Sequence, residues 1–300
     1  MSYLLNYIWG DSAEIVDFSY QTGGNPTDIK DSTKNIEQIS FDSIVSIKFN
    51  NQTMKAIPKF IENLNNLTQI IIEDSIIDTI NLNILNNLHT LVKIIFINLK
   101  INNFIESDKL KLESVIINKC NIIKLEYLAQ IITLRELYYV NNIIDQVCDL
   151  SKLENLTILD LHNNNTNSIK NIGKLNKLIS VNLGENNIDT IESLQFCEKI
   201  KYLYINKNKI ETIDCLKPLH FLIYFIANQN KIKNIEVISN FPELEVLHID
   251  DNPIRKIPNL LKLKHIDYQN LHIDWKIIED VEEMKGFSVM KNIILNLIKK

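Results

Sequence analysis

The sequence predicts an α/β solenoid. Its expected form is a right-handed superhelix with a parallel β-sheet on the concave side, short 3₁₀ or loop segments on the convex side, and caps at both ends. Three observations predict it. Leucine or isoleucine opens a unit at Leu134, Leu156, Leu178, Ile200, Leu222, Leu244 and Ile266, each 22 residues after the last. Apolar residues recur inside the units at offsets 0, 3, 5, 10 and 13, as in Leu178, Val181, Leu183, Ile188 and Ile191. An asparagine stands at offset 8 in six consecutive units: Asn142, Asn164, Asn186, Asn208, Asn230 and Asn252. A fixed period of this length marks an array in which each unit buries its apolar face only by stacking on its neighbours.

The first half of each unit reads as a short strand with alternating sides. In the unit opened by Leu178, Val181 and Leu183 point inward and Ser180, Asn182 and Gly184 outward. After the strand the chain turns back inside the coil, leaving backbone groups with no ladder partner. The asparagine side chain carries an acceptor and two donors, so it can satisfy such groups in its own unit and the next. The return segment spans about ten residues, too few for a long helix with two turns, so short 3₁₀ or single-turn helices are expected. Toward the N-terminus further units open at Ile44, Leu67, Leu91 and Leu112, with Gln52, Ser75, Leu99 and Cys120 at offset 8. The 24-residue unit from Leu67 has the strongest claim to a true helical turn, in NLNILNNLHTL.

Three regions follow. Residues 1–43 form an N-terminal cap region, 44–265 about ten repeats, and 266–300 a partial repeat with a C-terminal helical cap. SAEIVDFSY is a candidate edge strand ahead of the sheet, and TGGNPTD reads as a loop. In DWKIIEDVEEMKGFSVMKNIILNLIKK, the residues Ile277, Val281 and Met284, then Met290, Ile294 and Leu297, carry helical spacing. Covering the last repeat is the favoured role for that helix over binding a membrane surface or a partner.

The pattern LxxLxLxxNxIxxIxxLxxL resembles the leucine-rich repeat. The 22-residue length is similar to its Sds22-like subclass, typified by a regulator of protein phosphatase 1. The resemblance covers roughly three quarters of the chain and implies a non-enzymatic protein-interaction scaffold, with a phosphatase-regulator-like subunit as its finer form. The Tyr-Arg pair of that subclass's C-terminal capping motif is not evident here; NPIRKIPNLL begins similarly and diverges. No phosphatase-docking residue can be matched by position.

Composition narrows the rest. The net charge of −5 and the lack of a basic block weigh against direct nucleic-acid binding. No stretch approaches the ~20 apolar residues of a membrane span. MSYLLNYIWGDSAEIV lacks a positive leader and is no convincing export signal. Cys120, Cys148, Cys197 and Cys215 show no CxxC pair, so they read as buried free thiols in a reducing, cytoplasmic setting. Sequons at Asn51, Asn66, Asn155 and Asn164 are expected by chance in a chain this rich in asparagine, and Asn164 belongs to the interior.

Function must be sought at the outward strand offsets 2, 4 and 6. Two apolar groups gather there: Ile71, Ile95, Ile97, Ile116, Tyr138 and Val140, then Tyr202, Tyr204, Tyr224, Ile226, Val246 and Tyr268. Each is a candidate protein-binding patch, with the isoleucines equally explained by β-propensity and the four tyrosines less so. His248, Asp250 and His272 are the best arrangement for a metal, with His272 expected beside Asp250; an open strand face favours solvated side chains instead. No phosphate loop, nucleophile elbow or paired-carboxylate cleft appears, so neither an enzyme nor a cofactor is expected. The leading expectation is a monomeric cytoplasmic scaffold holding a protein partner on its concave face. A secreted or surface adhesion protein and an RNA-processing repeat protein acting through a protein partner are the alternatives.

Overall fold

The computed structural model describes residues 15–17, 41–120, 123–144, 146–258, 263, 265, 271–273 and 280–281. It divides into two compact units, Met1–Leu134 and Arg135–Lys300.

In the first unit, β1 (Ile15–Asp17), β2 (Ser46–Asn50), β4 (Gln69–Glu73), β6 (Lys93–Ile97) and β8 (Ser114–Asn118) pair in parallel in that order. The register joins Ile47, Ile70, Ile94 and Val115, the offset-3 residues of the units opened by Ile44, Leu67, Leu91 and Leu112. β1 is the edge strand expected in SAEIVDFSY. A second parallel sheet runs alongside, made of β3 (Thr53–Ala56), β5 (Ile76–Asn81) and β7 (Lys100–Ile105). The sequence pattern predicts only loops and helical turns there. At offset 8 these units carry Gln52 and Ser75, and side chain and main chain bridge the coils together: the Ser75 hydroxyl accepts from Gln52 N–H at 3.0 Å and donates to the Glu73 carbonyl at 2.6 Å, while Ile76 N–H donates to the Gln52 carbonyl at 2.8 Å and Lys100 N–H to that of Ser75 at 3.0 Å. Those bonds extend into a ladder. The segment Leu82–Leu85 of the 24-residue unit is a 3₁₀ turn, so the helical turn expected there is not α-helical. The α-helical turn, α1 (Leu125–Leu128), falls instead in the unit opened by Leu112, after Cys120.

The second unit holds β9 (Glu136–Val140), β10 (Ile158–Asp160), β11 (Ser180–Asn182), β12 (Tyr202–Tyr204), β13 (Tyr224–Ile226), β14 (Val246–His248), β15 (Lys256–Ile257), β16 (Leu271–His272) and β17 (Asp280–Val281). From β9 to β14 the parallel register advances by 22 residues each time, through Leu137, Leu159, Val181, Leu203, Phe225 and Leu247. All of these are fully buried. Short 3₁₀ turns at Lys170–Ile172, Glu192–Phe196, Asp214–Leu216 and Glu236–Asn240 fill the return segments, as the ten-residue length dictates.

The six asparagines hold this unit's interior together. Asn186 Nδ2 donates to the carbonyls of Leu183 in its own repeat and Leu161 in the preceding one, at 3.0 and 2.9 Å. Its Oδ1 accepts from Thr166 N–H at 3.2 Å. Asn208, Asn230 and Asn252 repeat the pattern, accepting from Ile188, Ile210 and Ile232. The bridge therefore runs to the repeat before, not the one after. Asn164 donates to Tyr139 and Leu161, and Asn142 to Val140. In the first unit Cys120 takes the same offset, and its thiol reaches the carbonyls of Phe96 and Asn118 at 3.5 Å. That is a weaker donor in the same office.

One residue earlier, at offset 7, every repeat adopts a left-handed backbone. Asn51, Asp74, Asn98, Lys119, Asn141, Asn163, Glu185, Lys207, Gln229 and Asp251 all have φ between 47° and 57°. In β2, β4, β6, β8 and β9 this kink directly follows the last strand residue, and in most repeats the residue after it is buried. Six of the ten are Asn or Asp, which tolerate this region best.

The final coil departs from the sequence reading twice. Leu247 pairs with Leu271, 24 residues on, so a repeat opened at Ile266 is out of step by two. Val281, expected on a helix, lies in β17 and pairs with Ile257 of β15. Pairing with the previous coil overrides the local helical spacing there. The remainder of both cap regions, including the other helix residues, lies outside the described residues.

Candidate protein-binding face

A strand buried on one side alternates, whereas one covered on both sides reads as a continuous apolar run. That difference decides which outward residues are available. In β4, β6 and β8 the runs Ile70–Ile72, Ile94–Phe96 and Val115–Ile117 are buried throughout. Ile71, Ile95 and Ile116, in register on the outward side, are 1%, 0% and 2% exposed. Ile97 is half-buried. Tyr138 and Val140 on β9 are buried too. The expected exposed isoleucine patch is therefore absent from the surface; pointing outward from a strand does not mean facing solvent. Beside these residues Lys48 Nζ meets Glu73 Oε2 at 2.8 Å.

From β11 to β13 the strands do alternate. Ser180, Asn182, Tyr202, Tyr204, Tyr224 and Ile226 are half-buried on one side, while Val181, Leu203 and Phe225 are buried on the other. Register places Tyr202 between Ser180 and Tyr224, with Val246 next, and Tyr204 between Asn182 and Ile226, with His248 next. The rings of Tyr202 and Tyr224 lie 5.4 Å apart at 39°. Val246 sits at the buried margin of this group, and Tyr268 lies outside the described residues. The structure thus brings together Tyr202, Tyr204, Tyr224, Ile226 and Val246 on one face of the second unit.

At the start of these strands, sequence reasoning missed an apolar fringe. Phe221 is 56% exposed, Ile179 is exposed and Ile223 half-buried. Phe221 and Ile223 lie just ahead of Tyr224 in the chain, and Ile179 precedes β11. Their signal was legible: apolar residues at offsets −1 and 1, where other units carry Lys177, Lys199, Lys201, Glu243 and Glu245.

Polar groups border the face. Asp160, 7% exposed, accepts from His162 N–H at 2.9 Å and Asn182 Nδ2 at 3.2 Å. Burial raises its pKa above the usual carboxylate range, outweighing those hydrogen bonds. Glu185 takes Lys207 Nζ at 2.6 Å, which holds its pKa down. Gly184 lies close to neighbouring side chains: a Cβ there meets Asn206 Oδ1 at 2.7 Å and His162 Nδ1 at 3.1 Å, so those side-chain ends would have to move.

His248 faces His272 in register, not Asp250 facing it as the sequence spacing suggests. Their rings lie 3.9 Å apart and 3° from parallel. Parallel faces keep the ring nitrogens from converging on one point, so this pair does not present a chelating geometry. Among the described residues no group of three or more metal-ligating side chains gathers. A small void in the first unit, lined by Leu82, Phe96, Phe104 and Ile131 among others, has room for about one water-sized sphere, at about 10 Å³. All four cysteines are free thiols. No described helix is long and apolar enough to cross a membrane.

No known protein family matches the chain, and none of the curated proteins does either. Solved structures do. A leucine-rich repeat protein of Leptospira interrogans aligns with a TM-score of 0.71 at 19% identity, over 80% of this chain and 62% of its own. An internalin of Listeria monocytogenes aligns with a TM-score of 0.56 at 20% identity, over 81% and 73%. The Arabidopsis receptor kinase HAESA, in complex with the peptide hormone IDA and a co-receptor, aligns with a TM-score of 0.59 at 17% identity, over 84% and 45%. The chain spans less than two thirds of the Leptospira protein and under half of the receptor. The fold is that of the leucine-rich repeat.

Proposed function

We propose that this leucine-rich repeat chain is a non-enzymatic binding scaffold whose protein partner docks on the outward face of β11 to β14. The observation that carries the reading is the Tyr202–Tyr224 ring pair, half-buried in register with Tyr204 and Ile226 and fringed by exposed Phe221. Tyrosine gives large contact area with few rotatable bonds and a polar tip, which suits a contact that is wet when free and dry when bound. A protein of the same fold, HAESA, is seen in complex with a peptide hormone, which supports a polypeptide occupant. The finer form of the proposal is a monomeric regulatory subunit of phosphatase-regulator type, working on the concave side in the cytoplasm. Four free thiols support a reducing compartment for it.

The test is affinity capture from the native cell with the full chain and a Tyr202→Ala, Tyr204→Ala, Tyr224→Ala triple variant, with circular dichroism confirming that both fold. Loss of a specific partner from the variant is the expected result. An identical set of captured proteins overturns the assignment of this face.

A further inference from the structure

The described attachments of β16 to β14 are the Leu247–Leu271 pairing, the Ile249 N–H bond to the His272 carbonyl at 2.8 Å, and the His248–His272 ring stack. We propose that this stack is a proton-sensitive joint, closing β16 onto β14 at neutral pH and loosening it in acid.

Two neutral imidazoles at 3.9 Å and 3° make a favourable flat contact. Charge on both rings puts two like charges face to face across that same gap, with repulsion that water screens poorly on the half-buried His248 side. His248 is also ill-placed to carry a charge, since its Nε2 is buried with no hydrogen-bond partner among the described residues.

The titratable groups around His248 agree. From its own chain, Asp250 favours the charged ring; from β16, His272 opposes it; β13 offers Ile226 opposite and the Tyr224 phenol diagonally, neither a counter-charge at neutral pH. Burial is the largest effect and lowers the His248 pKa, His272 adds to it, and Asp250 offsets part. A histidine with a depressed folded pKa takes up its proton more readily when released. The closed joint therefore loses stability as pH falls below about 6.5, the ordinary histidine value. The joint belongs to the coil itself and does not rest on the tyrosine face binding a partner.

The experiment is amide exchange on the full chain, followed residue by residue by NMR and expressed as protection factors so that intrinsic pH effects cancel. Ile249 N–H reports the joint, while Ala227 N–H and Ile205 N–H, bonded to the His248 and Ile226 carbonyls one and two coils earlier, serve as internal references. Protection of Ile249 is expected to fall several-fold against Ile205 between pH 7.5 and 5, through the linkage of the joint to proton uptake. In the His248→Phe, His272→Phe double variant, which keeps two flat rings without protons, that dependence is expected to vanish. A native Ile249 protection that tracks Ile205 across the range overturns the proposal, as does an unchanged pH dependence in a folded double variant.

Discussion

Asn208 Oδ1 accepts the backbone N–H of Ile188 at 2.9 Å, twenty residues back, while its amide nitrogen donates to the Leu183 and Ile205 carbonyls at 2.9 and 3.1 Å. With a further bond to the Asn206 carbonyl at 3.2 Å, one side chain stitches two coils through four main-chain groups. In the first unit, where other residues hold that offset, the Ser75 hydroxyl accepts the Gln52 N–H and the main chain pairs on through β3, β5 and β7.

Replacing a fully engaged member of this column is therefore costly. Asn230→Leu keeps the branched shape at a larger volume but orphans Ile210 N–H and the Ile205 and Ala227 carbonyls. A loss of about 2–4 kcal/mol is expected by urea denaturation, at about 1–3 kcal/mol per buried unpaired group with some relaxation. Asn164→Leu is expected to cost less, because Asn164 Oδ1 already lacks a partner among the described residues. Equal losses at the two sites contradict the view that the Oδ1 bond matters.

The left-handed position gives a second measurement. Gln229 has φ of 56° and an exposed side chain, so a substitution there acts mainly through the backbone. Gln229→Val is expected to lower stability by about 1–3 kcal/mol, since a β-branched residue is poorly tolerated at positive φ. Gln229→Gly is expected to be neutral or mildly stabilising, relief of strain offsetting the entropy of a freer unfolded chain. Thermal midpoints of the two variants decide it: a tolerated valine shows that the kink is not enforced.

How far the sequence carried these conclusions depends on the kind of residue. Offset 3 was unambiguous, because Ile47, Ile70, Ile94 and Val115 are needed inside and nothing else fits there; the register follows this offset through β2 to β8 and again through β9 to β14. The offset-7 kink went unread because Lys119, Lys207 and Gln229 fill it as readily as asparagine, so the backbone state is imposed by its neighbours rather than by propensity. Ile71 and Ile95 misled because alternation fixes a side chain's direction and not what lies over it. The two-residue slip at Leu271 was hidden by Ile266, an apolar residue at the expected spacing. For the candidate face, the tyrosines were legible, while Phe221 and Ile179 sat at offsets not considered outward.

Thiol reactivity follows from the same column. Burial pushes the Cys120 thiol up to about 12 and those of Cys197 and Cys215 up to about 11. Against an ordinary value near 9, the thiolate fraction of Cys120 at pH 8 is reduced about a thousandfold. Under native conditions a disulfide reagent is expected to modify Cys120 and Cys197 far more slowly than Cys148, with all four reacting rapidly in guanidinium. Mass spectrometry of the labelled sites checks the order. Fast native labelling of Cys120 contradicts its place beside the Phe96 carbonyl.

Asp160 supplies the last measurement, with its sign fixed by burial. A carboxyl whose pKa is higher folded than unfolded binds its proton more tightly in the folded chain. At neutral pH its charge therefore works against folding, and that penalty is relieved as pH falls from 7 toward the unfolded value near 4. Asp160→Asn removes the charge and keeps an oxygen for His162 N–H, though the Asn182 bond is lost. Urea stability of the native chain minus that of the variant is expected to rise as pH is lowered from 7 to 5. A difference that stays flat, or falls, means that the hydrogen bonds from His162 and Asn182 outweigh burial and that Asp160 stabilises the strand face as a carboxylate.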